Sequence, residues 1–203
     1  MTKLSVNINK IATLRNARGG DMPSVTGFAI KLQEFGAQGI TIHPRPDERH
    51  ITRKDVYDLK PLVTTEFNIE GNPHRDFIDM VLKVKPEQVT LVPDADDAIT
   101  SNAGWDCRKH QDFLTEIISE FKNAGIRTSV FLDPDPELVE IAVKTGTDRI
   151  ELYTEAYAKD YRDSATSLRM TKDLAIKPYF DTAQKCVEFN PGVNAAHFRS
   201  LEN

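Results

Sequence analysis

Seven times along this chain a short run of β-branched and apolar residues gives way to a polar turn, and in most cases a segment whose apolar residues recur at helical spacing follows. That alternation is the tightest constraint on the fold. Strands separated by helices are joined by crossovers, and crossovers make neighbouring strands parallel. The strand candidates are Leu4–Ile8, Gln38–His43, Thr64–Glu70, Gln88–Val92, Ile126–Leu132, Arg149–Tyr153 and Gly192–Ala196. Between them, helices are expected over Pro23–Phe35 with Gly36 as C-cap, Asp55–Leu62, Asp76–Val84, Phe113–Phe121 and Pro136–Lys144. Asp163–Val187 reads as a weakly patterned helical region that breaks near Lys177, because the residue before Pro178 is pushed out of helical geometry. Residues 9–20, NKIATLRNARGG, read as a cationic loop. No strand is followed by GxGxxG or GxxxxGK[ST]. The expectation is therefore an α/β chain of the TIM-type (β/α)8 barrel, truncated after its seventh strand, and not a nucleotide-binding sheet. It is expected to be a single domain over 1–203 that lacks the last strand and helices. Unpaired strand edges would then leave such a chain aggregation-prone or poorly active alone.

Composition narrows the class further. The chain has 203 residues, enough for a sizeable core, with 39% hydrophobic and 28% charged residues and a net charge of −5. Its positive residues are interspersed with Asp and Glu, which argues against a nucleic-acid partner. No apolar run approaches the roughly 20 residues of a membrane span. The N-terminal MTKLSVNINK has no apolar core, so the expected location is the cytoplasm, with no membrane association. Cys107 and Cys186 stand alone and read as free thiols.

In a (β/α) barrel the chemistry lies at the carboxyl ends of the strands. Here those ends hold Asn7 and Asn9, His43, Glu70, Pro93, Asp133, Glu151 and His197. The second strand is the most informative. Residues 39–51, GITIHPRPDERHI, turn from an apolar run into a loop with His43, Arg45, Arg49 and His50, stiffened by Pro44 and Pro46. Such a rigid cationic loop suits a phosphorylated substrate. Two histidines and two carboxylates drawn from separate strands offer several acids and bases to one site. The plainer alternative is a solvated turn and rim carboxylates satisfied by nearby arginines.

Taken together, VNINKIATLRNARGG (6–20), GITIHPRPDERHI (39–51), TEFNIEG (65–71), VTLVPD with ITSNAGWD downstream (89–106), GIRTSVF (125–131), RIELYTE (149–155) and VNAAH (193–197) resemble the pyridoxine 5′-phosphate synthase family of vitamin B6 biosynthesis. The resemblance covers nearly the whole chain, with 156–190 nondescript. It implies condensation of 1-deoxy-D-xylulose 5-phosphate with 3-amino-2-oxopropyl phosphate to pyridoxine 5′-phosphate, phosphate and water, without metal or organic cofactor. By the same resemblance His43 and Glu70 accept protons, His197 donates one, and Glu151 stabilises cationic or enolic intermediates. Arg18, Arg45, His50 and Thr100 are implied at the aminoketone phosphate or its neighbourhood, with Asn7 near its polar groups. Asn9 and Lys10, where many relatives have Asp-His, would face the deoxyxylulose phosphate, and Phe198 is a further substrate contact. The polar insertion holding Thr100 resembles the family's lid loop. Ala196 stands where relatives have glycine. The implied partners are small phosphorylated substrates and other copies of the chain in a homo-oligomer, an octamer in the family. Two other readings stand beside this one. An aldolase- or isomerase-type phosphosugar barrel enzyme would need a buried strand-end lysine for Schiff-base chemistry, and only Lys10 is available. The third reading is an inactive, truncated phosphate-binding protein.

Overall fold

The computed structural model describes residues 2–94, 103–164 and 172–196. Along them run β1 (Ser5–Asn7), α1 (Asn9–Arg18), α2 (Val25–Glu34), β2 (Gly39–Ile42), α3 (Arg53–Leu59), β3 (Glu66–Gly71), α4 (Arg75–Val84) and β4 (Gln88–Leu91). These are followed by α5 (Gln111–Asn123), β5 (Arg127–Leu132), α6 (Pro136–Lys144), β6 (Arg149–Tyr153), α7 (Glu155–Ser164), α8 (Lys172–Phe189) and β7 (Gly192–Ala196). This is the α/β fold of the TIM-barrel class, with seven strands among the described residues. Among them, too, no helix is long and apolar enough to cross a membrane. Two compact units divide the chain, Met1–Thr100 with Phe121–Arg127 and Ser101–Glu120 with Thr128–Asn203.

In the first unit β1, β2, β3 and β4 lie side by side in chain order, every pair parallel. Period-two alternation splits each strand between two chemistries. Ile40, Ile42, Phe67, Ile69, Val89 and Leu91 fill one face and are fully buried, each contributing about 1.5–3 kcal/mol of burial energy. The opposite face is polar and hydrogen-bonded instead. Ser5 and Thr41 share a bond of 2.7 Å, and Asn68 donates to Thr41 at 3.4 Å while accepting from Thr90 at 3.1 Å and Gln88 at 3.2 Å. Gln88 in turn accepts from Arg127 at 2.9 Å, and Arg127 pairs with Glu66. A register slip of one residue would turn this ladder into the apolar layer, so the ladder pins the register.

The second unit repeats the pattern with β5, β6 and β7, again parallel. Arg149 donates to Asn194 at 2.9 Å, and Asn194 donates to Ser129 at 3.4 Å. Gly104 passes so close to β5 that a Cβ there would lie 2.2 Å from the Asp133 nitrogen. Its amide donates to Asp133 at 3.1 Å, and the Trp105 amide donates to the Phe131 carbonyl at 2.9 Å.

Two local expectations are corrected. Residues 9–18 are helical, not a loop: Asn7 Oδ1 accepts the Asn9 amide at 2.9 Å, relieving one of the unpaired donors of the first turn, and Ile8 and Ala12 bury one edge. The helix stops at Gly19, which adopts a left-handed φ of 67°. Likewise α8 runs through Pro178 without a break at Lys177. Proline 178 is on the exposed side, whereas Ala175, Thr182 and Cys186 form a buried stripe on the same helix. Tyr179 packs edge-on against Tyr157, and its hydroxyl accepts the Tyr157 amide at 3.1 Å. Packing of that stripe outweighs the lost hydrogen bond.

Candidate active site

Four residues at the carboxyl ends of β1, β2 and β3 form a closed circuit of contacts in the first unit. Asn7 ends β1, His43 follows β2, and Glu70 is the next-to-last residue of β3. Asn7 donates through Nδ2 to Glu70 Oε2 at 3.5 Å and accepts the Asn9 amide through Oδ1. Asn9 Oδ1 accepts the His43 amide at 2.9 Å, and His43 Nδ1 stands 3.9 Å from Glu70 Oε2. The alternation that puts Thr41 and Asn68 in the polar ladder puts His43 and Glu70, two residues on, in the next layer above it. Both side chains are 9% exposed. Their separation exceeds a hydrogen bond, so the pair is drawn together by charge once His43 is protonated.

Beside this circuit the Pro44-Arg45-Pro46 run walls a cavity of 280 Å³, closed by Asn72, the first turn of α4 and Asp94. Arg45 and Asp94 pair at 2.6 Å with side chains only 5% and 4% exposed, and Asn72 donates to the Asp94 carbonyl at 2.8 Å. Gly71 is needed for the wall, because a Cβ there would lie 2.3 Å from the Phe77 ring. A guanidinium held by a buried carboxylate is fixed in direction, which suits a charged substrate group. The sequence reading missed Asp94; the signal was an acid just past Pro93 at the end of β4.

His50 is half-buried, its ring 6.3 Å from that of His43. Burial first, then the charges of Arg45, Arg49 and Lys10, pulls its pKa down to about 4. Lys10 and Arg18 are both exposed on α1. An exposed Lys10 is a poor Schiff-base former. In the second unit Glu151 is 3% exposed in β6, opposite Phe131 on one side and Asn194 on the other. Thr100, His197 and Phe198 lie outside the described residues. The structure thus brings Asn7, Asn9, His43 and Glu70 into one circuit and sets Arg45 beside His43 on the cavity wall.

Comparison with known proteins adds an independent line. Residues 4–203 match the family described as pyridoxal phosphate biosynthesis protein PdxJ. Over its full length the chain is 58% identical to the pyridoxine 5′-phosphate synthase of Christiangramia forsetii, covering 83% of that protein. It is 60% identical to the pyridoxine 5′-phosphate synthases of Cytophaga hutchinsonii and Flavobacterium johnsoniae, covering 82% and 83% of them. Among solved structures, deoxyribose phosphate aldolase from Aeropyrum pernix aligns with a TM-score of 0.59 at 11% identity, over 96% of this chain and 74% of that one. At that identity the likeness is one of fold.

Proposed function

Because the chain belongs to the pyridoxal phosphate biosynthesis protein PdxJ family, and so carries out the pyridoxine 5′-phosphate synthase reaction, we propose that the Asn7, Asn9, His43 and Glu70 circuit is its proton-transfer centre. Joining an amine to a ketone releases water, and closing the aromatic ring releases more water and a phosphate. Each of those steps moves a proton on or off carbon, nitrogen or oxygen. The observation that carries the assignment is the pair of buried ionisable groups, His43 and Glu70, 3.9 Å apart on neighbouring strand ends. A carboxylate and an imidazole so placed can take protons from substrate carbon or nitrogen. Asn7 and Asn9 hold them: one through the carboxylate oxygen, the other through the His43 backbone.

On the family resemblance, His197 returns a proton and Glu151 stabilises a cationic or enolic intermediate. Arg18, Arg45, His50 and Thr100 contact the aminoketone phosphate or its neighbourhood, with Asn7 near its polar groups and Asn9, Lys10 and Phe198 completing the substrate contacts. Arg45 supports this reading because it lines the cavity and Asp94 fixes its guanidinium. We read the protein as a cytoplasmic homo-oligomer on the same grounds, and light scattering of the purified chain measures its assembly. The decisive test of the mechanism is turnover of both phosphorylated substrates by the wild-type chain, followed by product absorbance. Borohydride added during turnover should leave no substrate on lysine; a reduced adduct on Lys10 would replace this mechanism with Schiff-base catalysis.

A further inference from the structure

Arg15 and Asn16 turn from α1 onto the connection between β2 and α3. Arg15 forks onto Asp55 at 2.5 and 2.8 Å, and its Nη2 reaches the His50 carbonyl at 3.3 Å. Asn16 Nδ2 is shared among the carbonyls of His50 at 2.9 Å, Arg49 at 3.2 Å and Glu48 at 3.4 Å. Arg15 also donates to Asn16 Oδ1 at 3.0 and 2.9 Å, so the two side chains act as one clamp. Its far end is equally fixed: Asp55 accepts the Thr52 amide and hydroxyl, both at 2.8 Å, within the capping box that starts α3.

The clamped backbone is not one the chain adopts freely. Glu48 has a φ of 52°, in the left-handed region that non-glycine residues avoid. Its carbonyl is one of the three that Asn16 holds, and its carboxylate accepts the Arg53 amide at 2.7 Å. Two residues on, His50 Nδ1 accepts the Ile51 amide at 2.9 Å. A neutral imidazole bonded that way carries its proton on Nε2.

We infer that Arg15 and Asn16 are positioning residues for substrate binding: they hold the 48–51 backbone so that His50 presents a neutral Nε2–H donor to an oxyanion of a phosphorylated substrate. The inference rests on the reading above, in which His50 contacts substrate. A second charged group there would be opposed by Arg45, Arg49 and Lys10, whereas a neutral donor adds a directed hydrogen bond at no such cost.

The test uses the full chain with Asn16→Ala and, as a second variant that keeps the charge but loses the fork, Arg15→Lys. Nitrogen-15 NMR of the imidazoles reads the His50 tautomer, assigned by the signal lost in His50→Gln, and steady-state kinetics separates KM from kcat. Both variants should lose the single Nε2–H signature and raise KM for a phosphorylated substrate about tenfold, the scale of a slightly misplaced binding group, with kcat largely kept. Adding Glu48→Gly to Asn16→Ala, which allows that φ without strain, should bring KM back toward wild type. An unchanged tautomer or an unchanged KM in the variants, whatever happens to thermal stability, overturns the inference and leaves a structural clamp. If the wild type itself makes no product, the reaction reading falls, while the tautomer measurement still decides whether the clamp sets the ring.

Discussion

Glu70 is the residue at which chemistry and stability can be pulled apart. Glu70→Gln keeps the shape and an oxygen for Asn7 to donate to, but removes the base. Turnover should fall about 10²-fold or more, the usual effect of losing a general base, with the melting temperature nearly unchanged. A variant that unfolds while keeping its activity per folded molecule would return Glu70 to a structural role. The two proposed phosphate arginines should behave differently. Exposed Arg18, changed to Ala, should weaken substrate binding by about 1.5–3 kcal/mol and leave folding alone. Arg45→Ala should weaken binding and also strip a buried carboxylate of its partner, costing about 3–5 kcal/mol in chemical denaturation. Equal stability of Arg45→Ala and wild type would contradict the buried pair. His50 predicts a pH effect. Its folded pKa near 4 lies below the ordinary 6.5, so the unfolded chain binds the proton more readily and acid favours unfolding. Its contribution is complete above pH 6.5 and is lost progressively as pH falls toward 4. Melting temperature against pH should therefore flatten across that window in His50→Gln. The placement of His43, Arg45 and Glu70 at or just past strand ends was legible in the sequence, because strand ends follow from the alternation of elements. Arg15 was not singled out there; what gives it a role is Asp55, a partner 40 positions away that only the fold brings to it. The Arg45–Asp94 pair, 49 positions apart, was hidden for the same reason.

At the scale of elements, strands and most helices were legible to within a few residues, and α6 and β6 to the residue. The failures have local causes. Residues 9–18 carry polar side chains on nearly every face, so helical periodicity is weak, and the helix is held by Asn7 at its start and Asp55 near its end. In α8 the proline rule lost to packing of Ala175, Thr182 and Cys186. That account makes Pro178 a residual strain on an otherwise sound helix. Pro178→Ala, on the exposed side, should raise stability by up to about 3 kcal/mol, measured by chemical denaturation. A loss of stability instead would mean that the proline conformation is required.

For the molecule as a whole, fold class was the most legible property, because repeated alternation of strand and helix admits few topologies. What composition could not show is how polar one face of the strands is. Asn68 is the hub of that face, donating to Thr41 and accepting from Gln88 and Thr90. Asn68→Ala should cost about 1–3 kcal/mol for each buried group left unbonded, and equilibrium unfolding measures it. If Asn68→Ala is neutral, the ladder is incidental to stability. Along the chain as a whole, connections differ sharply in length. Between β1 and α1 there is one residue, the buried Ile8, whereas nineteen positions separate β4 from α5. An insertion at Ile8 would break the circuit that joins Asn7 to Asn9, so descendants of this sequence can explore that rim only by exchanging side chains in place. Asn9 is where such an exchange would be felt first, because its side chain accepts the His43 amide.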